Sequence, residues 1–205
     1  KSPTKPTVVM ACTVNEAYGF SGARALPELW ERGGGFVPRR PDAALVAEPT
    51  ELHPVVAHKG VVRWRLHTLG KAAHGANPED GENAIYKMGA VLARLEHYQK
   101  HVVGQLAAHP LCGPSTLNVG TIRGGMSVNT VPDRCTVELD RRLPPGESPE
   151  EAYRHLVAFL EGEAGVPFPV VHDPPFMDGL ALSDERNADL ARRVAEAVGT
   201  LGLRA

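Results

Sequence analysis

Residues 61–68 read Val61-Val62-Arg63-Trp64-Arg65-Leu66-His67-Thr68, and their alternation decides the fold. Val62, Trp64, Leu66 and Thr68 fall on one side of an extended chain, and Arg63, Arg65 and His67 on the other. Successive strand side chains point to opposite faces, so this segment predicts an antiparallel strand with one packed and one solvated face. Downstream, residues 82–103 predict a helix, with Ile85, Met88, Leu92 and Leu95 on one face. Residues 116–123 and 134–143 predict two further strands, joined through a Gly124-Gly125 turn region. In the second of these, Cys135, Val137 and Leu139 alternate with Thr136, Glu138 and Asp140. Ser148, with Glu151 three residues later, has the form of a capping box. The helix it opens has Ala152, Leu156, Phe159 and Leu160 as its apolar face, and Val166 to Val171 predicts a last strand.

The order over residues 55–172 is thus strand, helix, strand, strand, helix, strand, the split βαβ or ferredoxin-like α+β arrangement. Upstream, Val8-Val9-Met10-Ala11-Cys12-Thr13-Val14 and Ala43-Ala44-Leu45-Val46-Ala47 are short apolar runs that predict buried strands of an α/β sheet. A helix over residues 23–31 lies between them, stopped by Gly33-Gly34-Gly35. A final helix, about 184–198, carries Leu190, Val194 and Val198 on one face beyond Pro174-Pro175. The expected organisation is part of an α/β domain over 1–54, an inserted α+β module over 55–173, and a return to the first domain over 174–205.

Composition narrows the class. The chain has 205 residues, with 22 Lys+Arg against 24 Asp+Glu and a formal net charge of −2, which argues against a protein that coats nucleic acid. No apolar run approaches the length of a membrane span, about 18 residues. Three scattered cysteines, Cys12, Cys112 and Cys135, fit reduced thiols and a cytoplasmic setting better than a disulfide framework.

Several residues carry candidate chemistry. Glu16 and Glu48 each follow an expected strand, where a carboxylate is placed for general-base duty or metal binding, although a solvated turn residue reads the same way. His74 lies among small residues in Gly70-Lys71-Ala72-Ala73-His74-Gly75-Ala76-Asn77-Pro78, which gives access to the imidazole. An exposed loop histidine is the plainer alternative. Asn129 and Arg142 flank a strand pair. Arg142 shares a face with Asp140, so a structural ion pair competes with ligand binding. Arg141 then falls on the face of Val137 and Leu139, unless it lies beyond the sheet edge.

Five stretches occur in a telling order. They are Asn15-Glu16-Ala17 followed after four residues by Gly22-Ala23, then Glu48-Pro49-Thr50, then Lys59-Gly60. The run Gly70 to Ile85 reads Gly-x-Ala-Ala-His-x-Ala-x-Pro-x-x-Gly-x-Asn-Ala-Ile, and Asn129-Thr130-Val131-Pro132 precedes Arg142. Together they resemble the zinc-dependent M20 metallopeptidases and amidohydrolases. The resemblance implies a hydrolase of linear amides or peptides acting on N-acyl amino acids or related small substrates. It implies Glu16 as general base and Glu48 as a metal ligand. His74 would stabilise an oxyanion in the partner subunit's site, and Asn129 and Arg142 would hold a substrate carboxylate. It further implies zinc or cobalt, two ions in an intact enzyme. The α+β module would serve as lid and homodimerisation domain, with neither nucleic acid nor membrane as partner.

The chain also departs from that pattern. Ala17 stands where the family has a metal-binding Glu, and Asn15 where it has Asp. None of the nine histidines is followed two residues later by Asp, so the family's His-x-Asp element is absent. Fewer metal ions, or none, are therefore expected in this chain. The expected explanation is a central excerpt of a longer enzyme, because the sequence begins without Met. The competing one is a non-catalytic dimerisation or binding module that has lost its metals.

Overall fold

The computed structural model describes residues 7–16, 19–33, 39–106, 108–162 and 165–202. The chain divides into two compact units, Lys1–Pro49 and Thr50–Ala205.

Among the described residues of the first unit the regular element is α1 (Ser21–Arg32), slightly longer at both ends than the 23–31 expected. Neither Val8–Val14 nor Ala43–Ala47 forms a strand, which corrects the reading of both as buried strands. An apolar run becomes a strand only when neighbouring strands take its N–H and C=O groups and a core covers its side chains. Neither condition holds here, and Val8, Met10 and Val46 remain at least four-fifths exposed (85%, 89% and 82%).

The second unit is built on an antiparallel sheet. Its strands are β1 (Gly60–Leu69), β2 (Thr116–Gly124), β3 (Arg134–Leu143), β4 (Val170–His172) and β5 (Met177–Gly179). The order is β2-β3-β1-β4, and β5 also pairs with β1. The β1–β3 register runs from Gly60↔Leu143 to Leu69↔Arg134 without a break. That register brings Val62, Trp64 and Leu66 beside Val137, Leu139 and Leu143 on one face, as the alternation requires.

Two helices cover that face. α2 (Ala84–His101) buries Ala84, Met88, Val91, Leu95 and Tyr98, and α3 (Pro149–Glu161) buries Ala152, Leu156 and Leu160. All belong to one core cluster with the strand residues, and Tyr153 meets Trp64 edge-on at 5.4 Å. The inward stripe of α2 is rotated from the expected Ile85–Met88–Leu92–Leu95 line. Ile85 is exposed and Leu92 only partly buried, and Ala84, Val91 and Tyr98 turn inward with Met88 and Leu95 instead, while Asn83 caps the helix by accepting N–H bonds from Ile85 and Tyr86. Ser148 caps α3 by accepting from the Glu151 N–H, as the sequence signature predicts.

The last strand starts later than expected, at Val170 rather than Val166. Pro167 and Pro169 have no N–H to give a ladder, so pairing with β1 begins beyond them. After Pro174-Pro175 the chain returns to β1 as β5, an element the sequence reading did not contain. α4 (Ala188–Thr200) follows, and Asn187 Nδ2 at its start donates to the Val56 carbonyl at 2.9 Å. Among the described residues no helix is long and apolar enough to cross a membrane.

Candidate functional site

The Gly70–Ile85 stretch folds as a tight loop against the segment that leads into β3. Lys71 and Glu82 exchange backbone hydrogen bonds at 2.9 Å each, which closes the loop on itself. Gly70 donates to Asp133 O at 2.8 Å, and Ala84 donates to Pro132 O at 2.9 Å. The glycines of the run answer to close approach. A Cβ on Gly70 would lie 2.0 Å from Glu82 O, and one on Gly81 would lie 2.7 Å from Lys71 O. Buried Ala84 accepts a hydrogen bond from Thr68 Oγ1 at 2.7 Å, fixing the start of α2 to β1. Lys87 holds Glu82 at 2.5 Å and keeps its carboxyl below the usual carboxylate range.

The loop leaves His74 on the surface, beside Asn129. Val131 N donates to Ala73 O at 2.9 Å and Gly75 N to Asn129 O at 2.7 Å, so the two sequence motifs form a short antiparallel bridge. The Ala76 N–H points at His74 Nδ1 from 3.1 Å. An acceptor Nδ1 places the imidazole proton on Nε2, so the free edge of His74 is a hydrogen-bond donor. Ser127 Oγ donates to Asn129 Oδ1, which turns the Asn129 amide.

Arg142 lies at the other end of the sheet. It pairs with Val61, whereas the His74–Asn129 bridge extends from the Leu69–Arg134 end, eight register positions away. At a strand rise of ~3.4 Å that is roughly 27 Å along the sheet. Arg142 Nε donates to Asp140 Oδ1 at 2.6 Å and a terminal nitrogen to Asp140 Oδ2 at 3.2 Å. Asp140 also accepts from Arg63 Nε at 2.6 Å. The structure therefore brings His74 to Asn129 and sets Arg142 apart within one chain. Arg63 was not among the residues singled out in the sequence. Its face was legible, but its pairing with Asp140 needs the β1–β3 register.

Glu16 and Glu48 both lie in the first unit, on exposed non-strand backbone. Asn15, before Glu16, has φ 63° and its Nδ2 donates to Ser21 Oγ at 3.1 Å. Ala17, which stands where the resemblance places a metal-binding Glu, lies outside the described residues. Among the described residues no three His, Cys, Asp or Glu side chains gather where they could hold a metal ion.

A family model described as the M20 peptidase dimerisation domain matches residues 56–166, which takes in β1, α2, β2, β3 and α3. The chain belongs to the M20 peptidase family. This M20 chain is 31% identical over 204 residues to an acetylornithine deacetylase of Myxococcus xanthus, covering 95% of this chain and 50% of that protein. It is similar in fold to aminopeptidase PepT from Bacillus cereus, with a TM-score of 0.63 at 22% identity, over 94% of this chain and 47% of that one. It also resembles an M20 family metallo-carboxypeptidase from Sulfolobus solfataricus, with a TM-score of 0.55 at 17% identity, over 73% and 45% of the two chains. The chain spans about half the length of the curated relatives it matches.

Proposed function

We propose that the chain is the dimerisation and substrate-clamping part of a metal-dependent amide hydrolase, a deacylase or exopeptidase of N-acyl amino acids or related small substrates. The observation that carries this is His74, held by the Gly70–Ile85 loop with Nε2 as a free donor beside Asn129. A donor so fixed is suited to a carbonyl oxygen as it gains charge. Asn129 assists there, and Arg142 binds a substrate carboxylate. Glu16 acts as general base, and Glu48 supplies one ligand to zinc or cobalt.

About 27 Å of sheet separates Arg142 from the strand end at which the His74–Asn129 bridge lies, more than the length of a small acyl amino acid. One such substrate can meet both residues only if they come from two chains, which supports a homodimer. Exposed Ile122, Met126 and Val128, on and just beyond the edge strand β2, fit the same reading. The strand order with two helices on one face supports the ferredoxin-like assignment for the module over 55–173. The flanks 1–54 and 174–205 belong to the catalytic domain in this proposal. Three free cysteines support a cytoplasmic location.

A second reading, a non-catalytic dimerisation module, draws on the lack of a three-donor metal cluster among the described residues. Hydrolysis of N-acetylornithine and of a dipeptide by the full-length protein, with metal content measured, separates the two. Bound metal with turnover that His74→Ala removes is expected. Neither metal nor turnover would establish the second reading.

A further inference from the structure

The polar face of the sheet carries a cluster of two cations on one anion. Asp140 on β3 stands opposite Arg63 on β1 in the register. Its Oδ2 accepts from Arg63 Nε at 2.6 Å and from an Arg142 terminal nitrogen at 3.2 Å, while its Oδ1 accepts from Arg142 Nε at 2.6 Å. A guanidinium has five N–H donors and two ways of binding a carboxylate in parallel, through its Nε edge or through its terminal edge. Asp140 occupies the Nε edge of Arg142. The terminal edge is left over, and the Arg142 side chain is 44% exposed.

Charge decides whether that edge can still attract an anion. Arg142 with Asp140 alone would sum to zero, which is the structural ion pair that competes with ligand binding. Arg63 adds a second positive charge on the same carboxylate, so the cluster is formally +1. Arg63 is itself held, since its Nη1 meets the Met177 sulfur on β5 at 3.2 Å. The two partners thus fix the Arg142 fork without cancelling its charge.

We propose that Asp140 is a positioning residue that aims the terminal edge of Arg142 at a small carboxylate, with Arg63 balancing the charge of Asp140. This rests on the reading of Arg142 as the group that holds the substrate carboxylate. Freezing a long side chain costs binding energy, so a fork held beforehand should bind roughly 2- to 10-fold more tightly than a free one.

Arginine side-chain NMR of the full chain tests this, with the Arg142 Nε–H signal assigned by its loss in Arg142→Lys. The wild-type signal should lie away from the free-arginine position and return to it in Asp140→Asn, while Asp140→Glu retains part of the shift. Titration with N-acetylornithine should move the Arg142 terminal N–H signals. The affinity should fall several-fold in Arg63→Gln, at a thermal midpoint that excludes unfolding. A wild-type Nε–H signal at the free position, or one unmoved by Asp140→Asn, overturns the positioning role. A fixed Arg142 that ignores the carboxylate probe overturns the carboxylate reading of Arg142, and leaves Asp140 as its structural anchor.

Discussion

The backbone N–H of Gly75 donates to the carbonyl of Asn129 at 2.7 Å, and together with the Val131 N–H on Ala73 O it ties the His74 loop to the strand entry that carries Asn129. The approach is close enough that a Cβ on Gly75 would sit 3.0 Å from both the carbonyl carbon and the oxygen of Asn129. Gly75→Ala is therefore expected to push the two segments apart. Stability should fall by about 1 kcal/mol, the low end of the cost of overpacking. Hydrogen exchange should quicken at the Gly75 and Val131 amides. Gly70→Ala is the harsher change, with its Cβ 2.0 Å from Glu82 O, and should cost roughly 3 kcal/mol. Thermal denaturation that ranks the two the other way would contradict this account of the loop.

Asn83 offers a test of why α2 begins where it does. Its side chain accepts from Ile85 N at 2.9 Å and Tyr86 N at 3.2 Å, satisfying two of the four N–H groups that a helix start leaves open. Asn83→Ala should cost about 1 kcal/mol, whereas Asn83→Ser or Asn83→Asp should recover most of it. Urea unfolding of the three variants reads this directly. Equal loss in all three would mean that the amide does something other than cap.

These two cases show why parts of the molecule were legible in the sequence and others were not. The strand at 61–68, the β3 alternation and the buried side of Arg141 follow from a period of two, which one sequence displays in full. The α2 stripe differs because Ala84, which Thr68 holds against β1, turns inward where Ile85 was expected, and helical spacing alone does not encode that tertiary contact. Val8–Val14 and Ala43–Ala47 have strand composition, yet an apolar run states only a capacity to pair. β5 was hidden because three residues behind two prolines carry no period. At the site, the motif residues stood out, but the placing of Arg142 and of the His74–Asn129 bridge at opposite ends of the sheet, and the Arg63–Asp140–Arg142 cluster, depend on register.

His172 gives the fold a pH dependence of known sign. Both ring nitrogens are buried without a hydrogen-bond partner, and the ring packs edge-on to Tyr153 at 6.3 Å. Burial pushes the imidazole below its ordinary value of 6.5, His67 adds to this, and Glu161 opposes it. The unfolded chain takes up this proton near its ordinary value, and the folded chain only at lower pH. Below that value the unfolded state holds more protons, so stability falls as pH falls, and above it the group contributes no slope. His172→Phe should flatten the fall in unfolding free energy between about pH 7 and pH 5 relative to wild type. An unchanged slope would assign the dependence to other groups.

Arg141 is the largest charge in the core, with a side chain only 1% exposed, and its partners set what its loss should do. One terminal nitrogen donates to Tyr98 Oη at 2.7 Å and the other to the Glu147 carboxylate, which also accepts from Ser115 Oγ. Tyr98 in turn sits 2.6 Å from His155 Nδ1, and burial raises its phenol above the ordinary range. Removing Glu147 leaves a buried guanidinium without its counter-ion, the costly half of any buried pair. Glu147→Ala should therefore destabilise by roughly 3 kcal/mol. Arg141→Met replaces the charge with apolar volume and leaves Tyr98 bonded to His155, so it should cost less than Glu147→Ala despite deleting the more buried residue. Combining both changes should cost less than the sum of the two, because the stranded charge is gone. Urea unfolding of the two single variants and the double variant measures the cycle. A Glu147→Ala loss smaller than that of Arg141→Met would show that desolvation of the guanidinium is not what the pair offsets.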